Sequence, residues 1–348
     1  LRVGVLTGGG DCPGLNAVIR AIVRKGITRY GYEIFGIYEG WKGLTGDNLI
    51  RPLDLNATSG ILPKGGTILR TSRTNPYKVT DGESKLLENM KKHSLDALIA
   101  IGGDDTLGVA AKLFQKGIKV IGVPKTIDND IYGTDKTFGF DTAVNIAMDA
   151  IDRIHTTAES HNRVMVVEVM GRDSGWIALE SGLAGGADII LIPERPADLT
   201  EVCALIKRRH ERGKDFSIVV VAEGTRIKTA EHPEGAFVTQ DSSIDQFGHV
   251  RLGGVCNYVA QEIEKKLGYE SRVVVLGHIQ RGGTPTAFDR MLGTRYGVCA
   301  IDLVNQGKFG HFTALKGDRI IAVPLSEMAG KTRTVDSELY GMAEVFFG

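Results

Sequence analysis

The chain has 348 residues, enough for two domains that each bury a core, which excludes a disulfide-stapled miniprotein. Basic and acidic residues balance at 42 each, which excludes a polycationic nucleic-acid binder and confines any anion site to local charge. Glycine stands out at 45 residues, about 13% against a usual ~7%, with no collagen-like period, so it must serve local backbone needs.

Residues 3–7 open the series as a β-branched strand, followed by a helix-length stretch over 15–30 and a strand over 33–38. Strands over 97–101 and 119–123 come next, then a helix over 142–160. Residues 163–169, 188–192 and 217–222 read as further strands, and a helix over 254–267 precedes a last strand over 273–276. Strands alternating with helices imply βαβ units, so the expected fold is α/β, two doubly wound domains with largely parallel sheets. Ligands of such sheets bind beyond the carboxyl ends of the strands, which makes the following loops the places to look. The stretch 224–254 lacks clean periodicity and is expected to be a surface insertion with a hairpin of its own. No Pro-rich or Gly/Ser-rich linker separates the domains, so they are expected to share several crossovers and to leave a cleft between them for the active site.

Cys12, Cys203, Cys256 and Cys299 lie far apart without a CxxC pair, which fits reduced thiols of a cytoplasmic protein better than a metal knot. No apolar run approaches the ~20 residues of a membrane span.

Four loops carry chemistry. The first, Gly8-Gly9-Gly10-Asp11-Cys12-Pro13-Gly14, joins a strand to a helix, where glycine lets backbone N–H groups approach a phosphate. It is neither a Walker loop nor a spaced GxGxxG, and a structural turn would look the same. The second, Gly65-Gly66-Thr67-Ile68-Leu69-Arg70-Thr71-Ser72-Arg73, sets glycines beside hydroxyls and two guanidiniums. In the third, Ile101-Gly102-Gly103-Asp104-Asp105, adjacent carboxylates at a strand end suit a Mg²⁺ that keeps most of its waters and bridges phosphate oxygens; helix capping by one aspartate is the alternative. The fourth, Pro124-Lys125-Thr126-Ile127-Asp128-Asn129-Asp130, holds what phosphoryl transfer to an alcohol needs: a cation, a hydroxyl and carboxylates to take a proton or anchor a metal. An Asx-turn with internal ion pairs is the structural alternative.

The ordered set GGGDCPGLNA, GGTILRTSR, IGGDDTLG, PKTIDND, HNRVMVVEVMGR, VAEG and VLGHIQRGG, spread over nearly the whole chain, closely resembles the 6-phosphofructokinase family. The resemblance implies two Rossmann-like domains, residues 1–139 with about 280–330 for the phosphoryl donor, and about 140–279 with 331–348 for fructose 6-phosphate. It implies transfer of a phosphoryl group to the sugar's 1-hydroxyl. By position, Asp128 would be the base, flanked by Thr126 and Asp130 at the reacting hydroxyl and phosphate. Asp104 would be the magnesium-associated acid. Met170, Gly171 and Arg172 would line the sugar, Arg172 also neutralising the moving phosphoryl, and Glu223 would bind sugar hydroxyls. Arg163, Arg272, His278 and Arg281 would hold the 6-phosphate, with Arg163 and Arg272 reaching in from a neighbouring subunit, so a homodimer or homotetramer is implied. Arginines and a histidine at strand ends agree with a dianion site, since a guanidinium fork matches phosphate oxygens.

Asp105 and Lys125 bear on the donor. ATP-using relatives have glycine in place of Asp105 and a small residue in place of Lys125. A carboxylate there puts bulk and negative charge where the α-phosphate of ATP would lie, and a lysine puts positive charge beside a pyrophosphate leaving group. The pair resembles the signature of pyrophosphate-dependent members, with Gly10, Arg73, Gly103, Lys125 and Asp104-bound Mg²⁺ holding the donor. Arg70 departs from the family's glycine. Arg20 and Arg24 match basic effector positions but His155 replaces an arginine, so weak or absent effector control is expected. The alternatives are an ATP-dependent phosphofructokinase and a non-catalytic metabolite- or dinucleotide-binding protein; no nucleic-acid or membrane partner is expected.

Overall fold

A computed structural model describes residues 1–46, 49–244, 250–328 and 330–348. In chain order, β1 (Arg2–Thr7) leads through α1 (Leu15–Tyr30) to β2 (Glu33–Ile37), and a short α2 (Lys42–Thr45) precedes β3 (Ile50–Leu53). Next come α3 (Gly82–Lys92), β4 (Ala97–Gly102), α4 (Asp104–Gln115), β5 (Val120–Pro124) and the long α5 (Phe140–His161). They are followed by β6 (Val164–Val169), α6 (Trp176–Ala184), β7 (Ile189–Leu191), α7 (Leu199–Glu211) and β8 (Ser217–Ala222). The expected insertion carries β9 (Arg226–Ile227), β10 (Ala236–Phe237), β11 (Thr239–Ile244) and β12 (Val250–Leu252), in two antiparallel pairs. The series closes with α8 (Val255–Leu267), β13 (Ser271–Val275), α9 (Ala287–Asn305), β14 (His311–Lys316), β15 (Arg319–Pro324) and α10 (Ser337–Glu344).

The chain divides into two compact units. The first comprises Leu1–Ile127, Ile131–Thr142 and Arg281–Thr332; the second comprises Asp128–Asp130, Ala143–Gln280 and Arg333–Gly348. The tripeptide Asp128–Asp130 thus groups with the second unit although the residues on either side belong to the first.

In the first unit seven strands run in the order β15-β14-β5-β4-β1-β2-β3, parallel except for β3 and β15 at the two edges. Strands buried on both faces read as continuous apolar runs, as Val3 to Leu6 and Ala97 to Ile101 do. Strand β1 has β2 on one side and β4 on the other, so the chain's winding reverses there and the loops after β1 and β4 emerge side by side. Helix α1 buries Leu15, Val18, Ile19, Ile22 and Val23 at three-to-four-residue spacing and packs on α9. The two helices approach closely because Gly297 has no side chain: a Cβ there would lie 2.5 Å from the Val18 carbonyl oxygen.

In the second unit the order is β13-β6-β8-β7, all parallel. Val164, Val166, Val219 and Val221 on one face pack with Val255, Val259 and Ile263 of α8. No helix among the described residues is long and apolar enough to cross a membrane.

Candidate active site

The first unit gathers the loops that follow β1, β3 and β4. Gly8 N–H donates to the Ile101 carbonyl (2.9 Å) and Gly9 N–H to the Ser72 carbonyl (3.0 Å), while Thr71 Oγ1 donates to the Gly9 carbonyl (2.6 Å) and Thr7 Oγ1 to that of Arg70 (2.7 Å). Asn16, in the first turn of α1, fastens the other end, accepting from Ile68 N–H (2.9 Å) and donating to the Lys64 carbonyl (3.0 Å). The glycine loop and the loop carrying Arg70 and Arg73 are therefore one hydrogen-bonded body.

Lys125 joins it. Its N–H donates to the Gly102 carbonyl (3.0 Å), its side chain is only 3% exposed, and its Nζ donates to the Gly10 carbonyl. Burying an ammonium is costly unless it is hydrogen-bonded, and the Gly10 carbonyl meets that need here. Asp104 and Asp105 occupy the first turn of α4, behind Gly103, which is the N-cap and makes no side-chain cap. Neither aspartate is the capping residue; both favour the positive end of the helix dipole, and Asp104 is exposed. Thr126 is 8% exposed and its carbonyl accepts Thr137 Oγ1 at 2.8 Å.

Arg70 has a left-handed backbone (φ 55°), as does Glu39 (φ 61°), and its guanidinium stands 3.8 Å from Glu39. Lys42, at 2.6 Å, is the closer partner of Glu39 and the main reason its carboxyl titrates below the usual range. Arg281 is 8% exposed, belongs to this unit, and donates from Nη1 to the Asp11 carbonyl (3.2 Å). It lies so close over Gly10 that a Cβ on that glycine would come within 2.6 Å of Nη1.

The second unit holds Asp128, expected as the base, and the residues expected to line the sugar. Asp128 is 4% exposed, and Asn129, 1% exposed, has a left-handed backbone of φ 55°, a conformation asparagine tolerates better than most side chains. Ser174 Oγ donates to the Asp128 carbonyl (3.1 Å) and Gly171 carbonyl (3.3 Å). Met170, Gly171 and Arg172 follow β6. Met170 N–H donates to Gln280 Oε1 (3.4 Å), and Arg172 N–H, on a φ of 51°, donates to Glu223 Oε1 (3.3 Å). Glu223, just past β8, donates its own N–H to the Val169 carbonyl (2.8 Å). The loops after β6 and β8 thus meet at the carboxyl edge, together with exposed His278 beyond β13.

Of the four residues expected at the 6-phosphate, Arg163 and Arg272 stand apart from His278 within the second unit. Arg163 stands before β6 and Arg272 at the start of β13, in register with Met165. Both pair with Glu270, Arg163 at 2.9 Å, which holds the Glu270 carboxyl below its usual range. They lie at the entering ends of strands whose carboxyl ends carry Met170 and His278, and β6 alone separates Arg163 from Met170 by roughly 20 Å. Arg281 is held in the first unit.

The four cysteines are free thiols, and burial pushes each up, Cys299 to about 11. Ser174, Gln280 and Arg333 were not among the expected site residues. Ser174 and Gln280 sit inside or beside recognisable motifs, MGRDSG and GHIQRGG, and could have been found; Arg333 sits in no motif.

The phosphofructokinase family profile matches residues 2–304, and the chain belongs to this family. A protein of Streptomyces coelicolor named pyrophosphate--fructose 6-phosphate 1-phosphotransferase is 56% identical, and one of the same name from Amycolatopsis mediterranei 59%, each alignment covering 100% of both chains. An ATP-dependent 6-phosphofructokinase of Corynebacterium efficiens is 50% identical, over 100% of this chain and 99% of that one. Among solved structures, Pichia pastoris phosphofructokinase in the T-state superposes with a TM-score of 0.81 at 32% identity, over 99% of this chain and 36% of that longer one. The pyrophosphate-dependent phosphofructokinase of Marinobacter aquaeolei shares the fold (TM-score 0.80, 23% identity, 97% of this chain and 86% of that one).

Proposed function

We propose that this protein transfers a phosphoryl group from inorganic pyrophosphate to the 1-hydroxyl of fructose 6-phosphate, giving fructose 1,6-bisphosphate and phosphate, in either direction. The observation that carries the donor assignment is Lys125, buried with its ammonium on the Gly10 carbonyl, paired in sequence with Asp105. The names of relatives at 56–59% identity support the same donor.

Asp128 takes the proton of the 1-hydroxyl as its oxygen attacks the near phosphorus of pyrophosphate, and the bond from that phosphorus to the bridging oxygen breaks to release phosphate. Lys125 and Asp128 are three positions apart, a reach of about 10 Å, so backbone continuity alone keeps the donor's cation near the base. Lys125 and Arg172 balance charge on the moving phosphoryl and the leaving phosphate, with Thr126 and Asp130 beside the reacting groups. Gly10, Gly103 and Arg73 hold the donor. Met170, Gly171 and Glu223 orient the sugar, and His278 and Arg281 face its 6-phosphate. Arg163 and Arg272, on the entering edge of the second sheet, serve the active site of another copy, so the working enzyme is a homo-oligomer.

Among the described residues no three His, Cys, Asp or Glu side chains gather as a metal cage. One exposed carboxylate in the first turn of α4 fits Mg²⁺, which binds through one or two carboxylates, waters and phosphate oxygens. Asp104 would hold it, and the ion would supply charge neutralisation on the donor phosphates. The protonated thiols suit a reducing, cytoplasmic setting.

A donor assay tests the reading: pyrophosphate and ATP are supplied side by side with fructose 6-phosphate, and fructose 1,6-bisphosphate with phosphate in reverse. Turnover with pyrophosphate in both directions is expected. Turnover with ATP alone would assign the protein to the ATP-dependent members instead, a reading kept open by the 50% identity to one of them.

A further inference from the structure

The tripeptide Asp128–Asp130 is held from a segment more than 200 residues downstream. Arg333 Nη1 donates to the Asn129 carbonyl (3.1 Å, 204 residues apart), and Arg333 N–H donates to the Asp130 carbonyl (2.7 Å). With Ser174 on the Asp128 carbonyl, all three carbonyls of the tripeptide have a donor, and Arg333 supplies two of the three.

Arg333 is itself immobilised. Its guanidinium carbon lies 3.9 Å from the centre of the Trp176 ring, a distance at which a cation is attracted to the ring face. Trp176, 5% exposed, donates from Nε1 to the Arg333 carbonyl (3.1 Å). Glu194 accepts both Gly175 N–H (3.0 Å) and Val335 N–H (2.9 Å), which ties the residue before Trp176 to the chain just past Arg333. The guanidinium thus has one orientation, fixed by a ring on its face and a carbonyl at its edge.

We propose that Arg333 is a positioning residue for the base Asp128, acting through the Asn129 carbonyl and resting on the functional reading above. Asn129 keeps a left-handed backbone (φ 55°), which asparagine tolerates better than other side-chain-bearing residues, and the two Arg333 bonds hold the tripeptide in that turn, which sets the course of the chain that carries the Asp128 carboxylate. A lysine could keep the charge over Trp176 but offers no planar fork that meets ring and carbonyl together.

The test is steady-state kinetics of Arg333→Ala and Arg333→Lys on the full chain, with kcat expressed per folded molecule and thermal unfolding measured alongside. A base displaced by about 1 Å costs up to 100-fold in rate. Arg333→Ala is therefore expected to lower kcat at least tenfold while both substrate KM values stay within about twofold, and Arg333→Lys to recover part of the loss. Should Arg333→Ala fold poorly, Trp176→Phe keeps the ring and removes the Nε1 donation, and is expected to lower kcat severalfold with the same KM pattern. Unchanged kcat, or kcat falling only as the folded fraction falls, overturns the proposal. Wild-type turnover with neither donor would remove the functional reading, whereas wild-type turnover with a fully active Arg333→Ala removes this inference alone.

Discussion

Replacing Gly10 by alanine separates the steric role of that glycine from any backbone role. Gly10 is absent from the left-handed glycines, unlike Gly9 (φ 78°) and Gly14 (φ 105°), so an alanine backbone is accommodated and only the new methyl matters. That Cβ would stand 2.6 Å from Arg281 Nη1 and 3.0 Å from its Cζ. Ordinary contact is about 3.5 Å or more, so the guanidinium must retreat by about 1 Å. Arg281 is the flexible end of a side chain, so the backbone is spared; what is lost is the 3.2 Å bond to the Asp11 carbonyl, about 1–2 kcal/mol for a charged donor. The melting temperature should fall by only about 2–4 °C. A 1 Å error in a phosphate-facing guanidinium costs far more in rate, of the order of 100-fold in kcat/KM. Differential scanning fluorimetry and pyrophosphate-dependent turnover on the same preparations give both numbers. If Gly10→Ala keeps kcat/KM within threefold of wild type, Arg281 does not act from the place described.

Three other outcomes follow from the same geometry. The double variant Asp105→Gly, Lys125→Gly should lose pyrophosphate turnover and gain turnover with ATP; unchanged donor preference would remove the specificity argument. Asp289, in the first turn of α9, accepts Thr142 N–H (2.8 Å) and Thr142 Oγ1 (2.5 Å), yet burial, only partly offset by those bonds, pushes its carboxyl up to about 6. The folded state holds that proton more tightly than the unfolded chain, so the group's stabilisation is complete below about pH 4 and is lost as pH rises through about 6, roughly 3 kcal/mol in all. Urea midpoints between pH 4 and 7.5 should show this slope in wild type and not in Asp289→Asn; equal slopes would refute it. Gly108 lies inside α4 with nothing within 4 Å of an added Cβ, so Gly108→Ala should raise stability by about 0.5–1 kcal/mol in the same denaturation experiment.

Most core strands were legible because parallel strands buried on both faces carry β-branched runs, but buried β14 (His311–Lys316), with few β-branched residues, was missed. The expected run over 217–222 is the observed β8, and 163–169 contains β6. The antiparallel edge strands β3 and β15 were missed: Ile50–Leu53 carries an arginine and a proline, and Arg319–Pro324 is largely half-exposed, so neither reads as a buried run. The site was legible where chemistry sits within one loop, as in Pro124 to Asp130. It was not legible where residues converge through the fold. Arg272 and Arg281 lie nine positions apart around one strand, and their placement, Arg272 at that strand's entering end and Arg281 in the first unit, agrees with what the family resemblance, rather than the residues alone, implied. Nothing in TRTVDS announces that its arginine reaches back to Asn129, because that contact exists only once the β6 to β8 layer has formed.

The interleaving of the two units sets when activity can appear during synthesis. The first unit waits for Arg281–Thr332 and the second for Arg333–Gly348. At roughly 5–20 residues per second, a nascent chain that has just emitted Gln280 has neither unit whole, and both close within seconds of one another. A chain cut short at Thr332 would have every segment of the first unit and would lack the Arg333 bonds to the Asn129 and Asp130 carbonyls.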